Sequence, residues 1–160
     1  SLELGGKNPT LVFADAPPDL AGMAVTPFLP GLTAPVCAPH LGRPGTVSEM
    51  LDAGLLHDTD ASGWRAWFDA TGEPEVAVAA GPVFEDFNLL RAAVLAGQGV
   101  ALCALAIIAD DLREERLVQL SDRLIRAEYG YYIVTRRTPE EPSGAVGRFR
   151  AWLLSTAPRP

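Results

Sequence analysis

The sequence predicts an α/β protein with a mixed or mostly parallel sheet. Short apolar segments alternate with amphipathic segments of helical period along most of the 160 residues, and strands that alternate with helices are typical of this class. Hydrophobic residues make up 48% of the chain and charged residues 21%. This composition indicates a globular protein rather than a disordered one. The length suits one domain or two small lobes.

Strands are predicted where apolar or β-branched runs lie between Gly, Pro or charged residues. In chain order they are Thr10–Phe13, Thr33–Ala38, Leu55–His57, Glu75–Ala80, Val100–Ala104, Arg116–Leu120 and Tyr131–Arg136. The segment Pro27–Pro35 holds three prolines. It is predicted to be an extended connection, because proline fixes its own φ and has no N–H to donate.

Helices are predicted where apolar residues recur every three or four positions after a capping residue. They are a helix capped by Thr46 or Ser48 and ended by Gly54, one capped by Ser62 and ended by Gly72, one capped by Asp86 and ended by Gly97, then Leu105–Leu112 and Gly144–Ser155. Three of them carry an apolar face that we expect to be buried. These faces are Trp64, Trp67 and Phe68; Leu89, Leu90, Ala93 and Val94; and Val146, Phe149, Trp152 and Leu153.

Charge and composition exclude several classes of protein. The chain has 13 Lys and Arg against 20 Asp and Glu, a net charge of −7, which argues against a nucleic-acid surface because phosphate contacts need clustered cations. Cys37 and Cys103 are the two cysteines, too few for a disulfide framework. The sequence contains no run of about 18 apolar residues, so no membrane span is predicted. Residues 1–6 lack the basic and apolar regions of a signal peptide. We expect a soluble, cytoplasmic protein.

Motifs for catalysis, cofactors and metals are missing or incomplete. The glycines of Gly97-Gln98-Gly99 precede a predicted strand instead of opening a helix, so they cannot form a dinucleotide-binding turn. His40 and His57 lie in separate segments without neighbouring ligands at metal spacing, and His57 is interpreted as a structural histidine. The acidic run 110–115 is interpreted as a solvated helix end rather than a metal patch. We therefore expect no catalytic residue, no cofactor, no metal site and no enzymatic activity.

From about residue 23 to residue 157 the chain resembles the effector-binding domain of LysR-type transcriptional regulators, in the branch that includes the glycine-cleavage activator and β-lactamase regulators. The order and spacing of several short blocks carry the resemblance. They are Pro35-Val36-Cys37-Ala38-Pro39, Leu55-Leu56-His57, Trp64-Arg65-Ala66-Trp67, Gly81-Pro82-Val83-Phe84-Glu85-Asp86, 92–102, Asp110-Asp111-Leu112, Arg116-Leu117-Val118, Tyr131-Tyr132-Ile133-Val134 and 149–153.

The resemblance implies a periplasmic-binding-protein-like (type 2) architecture, in which a mixed sheet flanked by helices forms each lobe. Residues 33–131 would form the second lobe, and residues 132–160 the return strand and C-terminal helix. Residues 1–32 would then be a partial first lobe or a foreign segment, so the first lobe is expected to be incomplete. The family also implies a homo-oligomer, and DNA contact only through a winged-helix domain that is absent from this chain. No membrane partner is expected.

The resemblance further implies that a small-molecule effector binds between the lobes. Phe84, Asp86, Phe87 and Asn88 lie at the start of a predicted helix, where free N–H groups and the helix dipole favour a carboxylate-bearing effector. Simple capping by Asp86 is the alternative interpretation of this segment. Tyr131 and Tyr132 are further predicted effector contacts, although neighbouring residues of a strand face opposite sides.

Residues 1–16 resemble a different family. Ser1-Leu2-Glu3-Leu4-Gly5-Gly6-Lys7-Asn8-Pro9 is similar to the aldehyde dehydrogenase motif that carries the general-base glutamate, and Cys37 follows Glu3 at the family's spacing. The sequence around the cysteine, Ala34-Pro35-Val36-Cys37, departs from the family's Gly-Gln-x-Cys pattern. The segment is therefore interpreted as a fusion or remnant. A LysR-type sensing domain is the main prediction, with a stand-alone solute-binding module or an aldehyde dehydrogenase fragment as alternatives.

Overall fold

The computed structural model describes residues 10–14, 21–137 and 144–156. It divides the chain into two compact units. One unit, called here the inner unit because of its place in the chain, is Leu32–Ile125. The other, the outer unit, takes the described residues on either side of it.

Eight strands and five α-helices are defined within these residues. The strands are β1 (Thr10–Ala14), β2 (Met23–Pro30), β3 (Thr33–Cys37), β4 (Leu55–Asp58), β5 (Val83–Phe84), β6 (Val100–Ala104), β7 (Val118–Gln119) and β8 (Gly130–Arg136). The helices are α1 (Val47–Ala53), α2 (Ser62–Thr71), α3 (Phe87–Leu95), α4 (Ala109–Arg113) and α5 (Gly144–Thr156), with a short 3₁₀-helix at Pro39–Leu41. None of the helices in the described part of the chain has the length and apolar character that a bilayer crossing requires.

The inner unit is a five-stranded mixed sheet with helices on both faces. Its strand order is β5-β4-β6-β3-β7. β4 pairs in parallel with β5 and β6, whereas β3 pairs antiparallel with β6 and β7. The α/β class and the mixed sheet predicted from the sequence are confirmed.

The inner unit has one core cluster on each face of its sheet, and two adjacent leucines on β4 contribute to different clusters. Leu55 packs in a cluster with the aromatic face of α2, and Leu56 packs with the apolar face of α3. Successive side chains of a strand point to opposite faces, so α2 and α3 cover opposite sides. The indole N–H of Trp64 donates to the carbonyl of Leu56 at 3.0 Å, which satisfies the polar atom of this fully buried ring.

The outer unit contains a three-stranded antiparallel sheet in the order β1-β8-β2. β2 is not among the strands predicted from the sequence, because the prolines of Pro27–Pro35 indicate an extended connection rather than a paired strand. β2 is an edge strand, with a register shift between Pro27 and Leu29. A missing N–H is tolerated on an edge strand and at a bulge.

Three predicted elements are absent or shorter in the structure, because strand pairing and backbone hydrogen bonds override the local sequence pattern. Residues 76–80 form no strand, since β5 and β6 already occupy the two sides of β4. The helix predicted at Leu105–Leu112 is reduced to α4, because residues 105–108 form turns closed on the carbonyl of Ala104. The strand predicted at Arg116–Leu120 is reduced to β7, because the carbonyl of Asp111 accepts the N–H groups of Arg116 and Leu117.

Some predicted caps and buried faces also need correction. Thr46, not Ser48, caps α1, in a reciprocal capping box with Glu49. Ser62 is the first residue of α2 rather than its cap. Leu89 is 61% exposed, since a residue one step before buried Leu90 is rotated about 100° from the buried stripe.

The apolar face of α5 is oriented differently from the prediction. Phe149 and Trp152 are 46% and 57% exposed, and their rings stack with centroids 5.7 Å apart. The guanidinium of Arg150 instead donates to the hydroxyl of Thr26 on β2 at 3.2 Å, so a different side of α5 meets the sheet. The side chain of Val146 lies outside the described part of the structure.

Candidate functional site

The carboxyl ends of β4 and β5 lie side by side at one edge of the inner sheet. Asp58 at the end of β4 is opposite Phe84 at the end of β5. The chain runs from β4 to β5 on one side and returns to β6 on the other. Ligands of α/β sheets bind outside the carboxyl ends of strands where the connections diverge in this way. We therefore treat this edge, with the loops after β4 and β5, as the candidate site.

The loop after β4 is anchored to β5 and to α2. The N–H of Thr59 donates to the carbonyl of Phe84 at 2.9 Å, which joins the two loops of the edge. The carboxylate of Asp60 accepts the N–H of Ser62 at 2.6 Å. Hydrogen bonds from Ser62 lower the pKa of Asp60, so this carboxylate is charged and occupies the N-terminus of α2.

The loop after β5 brings together four of the predicted effector contacts. Asp86 caps α3, as predicted, and its carboxylate accepts the N–H of Asn88 at 2.7 Å. Phe84 and Phe87 are half-buried, and they pack against the core cluster that contains Leu56 and the apolar face of α3. The side chain of Asn88 is exposed. Phe84, Asp86, Phe87 and Asn88 thus lie within five residues at the candidate edge, and their role as effector contacts stays a prediction.

The edge is acidic and its helix N-termini carry their own carboxylates. Asp58, Asp60, Glu85 and Asp86 are exposed, and segments 58–62 and 84–88 contain no Lys or Arg. The N–H of Asn88 already donates to the carboxylate of Asp86, so any ligand carboxylate at the start of α3 would have to compete with it. This competition is the alternative that simple capping represents in the sequence analysis.

Tyr131 and Tyr132, the other predicted contacts, lie on β8 in the outer unit. Tyr132 is buried and pairs across the sheet with Val12 and Pro27, whereas Tyr131 is half-buried. The two side chains face opposite sides of the sheet. Their role in effector binding also stays a prediction.

His57 is a core residue at the same edge. The residue is 3% exposed, and Nε2 of its imidazole donates to the carbonyl of Ala79 at 3.1 Å. Its backbone N–H donates to the carbonyl of Pro82 at 2.9 Å. Within the described residues Nδ1 has no hydrogen-bond partner. His57 therefore holds segment 79–82 beside β4, in agreement with its interpretation as structural.

Asp111 corrects the interpretation of the acidic run 110–115 as wholly solvated. Asp111 is 1% exposed and accepts hydrogen bonds from the guanidinium groups of Arg91 on α3 and Arg116. Burial alone would raise the pKa of Asp111, but the bonds from Arg91 and Arg116 lower it below its usual value. In the described part of the chain no three His, Cys, Asp or Glu side chains are grouped so that they could hold a metal ion.

The two cysteines are buried thiols. Cys37 and Cys103 are fully buried in the inner unit, and burial raises the pKa of Cys37 and raises that of Cys103 to about 12. A nucleophilic cysteine needs a lowered pKa, so Cys37 lacks the property that the aldehyde dehydrogenase resemblance requires. Glu3 lies outside the described residues.

Comparison with known families decides between the alternatives of the sequence analysis. The model of the LysR substrate-binding domain matches residues 10–158, nearly the whole chain. The chain belongs to the LysR substrate-binding domain family. The likeness of residues 1–16 to aldehyde dehydrogenases finds no support, and the LysR resemblance is confirmed.

Curated relatives of this LysR domain are transcriptional regulators. The glycine cleavage system transcriptional activator of Escherichia coli is 27% identical over 140 residues, which cover 85% of this chain and 46% of that protein. The HTH-type transcriptional regulator TrpI of Pseudomonas aeruginosa is 32% identical over 118 residues, or 70% of this chain and 40% of that protein. The chain thus spans less than half the length of these relatives.

Solved LysR effector domains share the fold. The effector domain of the transcriptional regulator AmpR of Pseudomonas aeruginosa superposes with a TM-score of 0.71 at 24% identity, and covers 92% of this chain and 70% of that domain. The AmpR effector-binding domain of Citrobacter freundii gives a TM-score of 0.71 at 23% identity, with 92% and 73% covered. The periplasmic-binding-protein-like (type 2) fold of LysR effector domains is therefore the fold of this chain.

Proposed function

We propose that this LysR domain is the sensing part of a transcriptional regulator and binds a small-molecule effector. The match of the LysR substrate-binding model to residues 10–158 carries the proposal. The regulatory names of the relatives favour it over a stand-alone solute-binding module. In this proposal the chain acts by binding, without catalysing a reaction.

The effector is proposed to contact the edge formed by the loops after β4 and β5. The diverging connections around β4 support this position, because ligands of open α/β sheets bind outside the carboxyl ends of strands whose connections diverge. Phe84, Asp86, Phe87 and Asn88 are the proposed contacts of the inner unit, which we propose to be the second lobe. Tyr131 and Tyr132 are the proposed contacts of the outer unit.

The effector is proposed to carry a carboxylate, which the N-terminus of α3 favours electrostatically. Asp86 opposes this proposal, because its own carboxylate accepts the N–H of Asn88. Replacement of that charge therefore tests the effector class directly.

Regulation is proposed to follow from different effector affinities of two states of an oligomer. A ligand can shift an equilibrium only by the difference between its affinities for the two states. DNA contact is proposed to belong to a winged-helix domain of the regulator and not to this acidic chain, whose location is proposed to be the cytoplasm.

A binding screen tests the proposed function. Thermal unfolding is measured with a panel of amino acids, aromatic acids and cell-wall fragments, and each compound that raises Tm is titrated by isothermal calorimetry. At a concentration 100 times its Kd, a ligand specific for the folded state should stabilise the protein by about 2.7 kcal/mol. If the panel includes the effector of the intact regulator and no compound raises Tm, the proposal is wrong.

A further inference from the structure

Thr59 has an unusual backbone conformation at the candidate edge. Its φ is +67°, and among the described residues only Arg43, Glu115 and Arg126 share a positive φ without being glycine. Thr59 is the β-branched residue of this set, and β-branched residues are genuine outliers in this region. The conformation is therefore the most strained of the four.

The hydrogen bonds around Thr59 define the strained turn. The N–H of Asp60 donates to the carbonyl of Asp58 at 2.7 Å, which closes a three-residue turn centred on Thr59. With a positive φ at its centre, this is the rarer and more strained kind of γ-turn. The N–H of Thr59 itself donates to Phe84, so the turn is fixed at the point where the two loops of the edge meet.

The side chain of Thr59 is available to a ligand. The residue is exposed, and its hydroxyl lies 3.5 Å from the carboxylate of Asp58, at the outer limit of a hydrogen bond. A simple connection between β4 and α2 needs no β-branched residue here, because glycine adopts positive φ without steric cost. Strained backbone is found preferentially at ligand-binding sites, where the rest of the structure maintains it.

We propose that Thr59 is a specificity-determining residue whose hydroxyl forms a hydrogen bond with the effector. This inference rests on the proposed function and adds a contact that neither the sequence motifs nor the capping pattern indicated. The turn fixes the position of the hydroxyl, which can donate to a carbonyl or carboxylate and accept from an N–H or O–H group.

Three variants separate the hydroxyl from the strain. Thr59→Val keeps the branched shape and the strain but removes the hydroxyl. Thr59→Gly removes both the hydroxyl and the strain. Glu115→Gly relieves a positive φ of +54° in the turn after α4, outside the loops after β4 and β5, and is the matched control.

The variants are measured by thermal unfolding and by calorimetry against each panel compound that binds the wild-type chain. Thr59→Val should weaken binding about three- to tenfold, the effect of one lost hydrogen bond, with Tm nearly unchanged. Thr59→Gly should weaken binding similarly and raise Tm by about 1–3 °C. Glu115→Gly should raise Tm without any change of affinity.

Two outcomes overturn the inference in distinguishable ways. If wild-type and Thr59→Val bind the same compounds with equal affinity, the role of Thr59 is wrong and the proposed function stands. If the panel includes the effector of the intact regulator and no compound binds the wild-type chain, the proposed function fails and the inference fails with it.

Discussion

Asp110 and Asp111 are neighbours in the chain with opposite surroundings. The side chain of Asp110 is 73% exposed and pairs with Arg113 in the next turn. The side chain of Asp111 is 1% exposed and joins Arg91 on α3 to Arg116 after α4. Since Arg91 and Arg116 are themselves 36% and 45% exposed, solvent screens part of this network.

We predict that Asp111→Ala destabilises the chain by about 2–4 kcal/mol, because the guanidinium groups of Arg91 and Arg116 lose their shared buried partner. Asp110→Ala is the matched control and should cost about 0.5 kcal/mol or less, as for an exposed ion pair. Urea unfolding at pH 7 measures both. Equal effects of the two substitutions would show that burial of Asp111 contributes nothing.

The lowered pKa of Asp111 predicts a dependence of stability on pH. A carboxyl whose pKa is lower in the folded state stabilises the fold above its unfolded pKa of about 3.9, and this contribution is lost as pH falls through the folded pKa. The difference in unfolding free energy between wild type and Asp111→Asn should therefore be constant from pH 7 to about pH 5 and decrease below about pH 4. A difference that grows on acidification contradicts the assignment.

The charge of Asp86 can be removed to test whether the effector binds through a carboxylate. Asp86→Asn keeps a good N-cap and removes a negative charge from the edge. Compounds that bind through a carboxylate should bind this variant roughly two- to fivefold more tightly, since an exposed like charge costs about 1 kcal/mol or less. Asp69→Asn, an exposed carboxylate near the end of α2, is the control. Weaker binding of the panel compounds to Asp86→Asn would indicate an amine at this position instead.

At the scale of elements, the segment between α2 and β5 depends on a close approach at Gly81. A Cβ on Gly81 would lie 2.1 Å from the carbonyl oxygen of Leu55 and 3.2 Å from the imidazole of His57. Neither the backbone of β4 nor a buried ring can move freely, so only glycine fits here.

Gly81→Ala should destabilise the chain by about 2 kcal/mol or more. Segment 79–82 must then move away from β4, which strains the hydrogen bond from the N–H of His57 to the carbonyl of Pro82. Gly45→Ala is the control, since its Cβ would meet only Glu49 Oε2 at 3.9 Å. Thermal unfolding of the two variants should differ clearly. A neutral Gly81→Ala would mean that segment 79–82 adjusts at little cost.

Elements whose evidence is local could be predicted from the sequence. The aromatic face of α2 follows from helical periodicity, and its three aromatic residues are buried. The strand Val100–Ala104 follows from a continuous apolar run, and all of its residues except Leu102 are buried. β2 and the segment 76–80 could not be predicted in this way. Each depends on which strand takes the adjacent place in a sheet, and such pairing is set by residues distant in the chain.

The candidate site divides along the same line. Asp86 as a cap follows from residue type and position alone. The strained turn at Thr59 has no sequence signal, since threonine is an unfavourable choice for a positive φ. The exposure of Phe149 and Trp152 was also not predictable. Periodicity shows which residues share a helix face, but not whether another element packs against that face.

At the scale of the whole molecule, the inner unit has a core of its own. Both buried clusters take all their members from residues 36–125, and this stretch is continuous in sequence. We predict that a fragment of residues 32–125 folds alone, with a cooperative thermal transition by circular dichroism and dispersed amide signals by NMR. The full chain is the reference for both measurements. A fragment that binds hydrophobic dyes and melts without cooperativity contradicts this prediction.

The central place of β8 in the outer sheet has a consequence for biosynthesis. β1 and β2 both pair with β8 and not with each other, so residues 10–30 emerge from the ribosome about a hundred residues before the strand that joins them. During translation the inner unit can complete its core while these two strands still lack their partner. A stalled nascent chain of which only the residues before Gly130 have left the ribosome should therefore have a protease-resistant inner unit and readily cleaved residues 10–30.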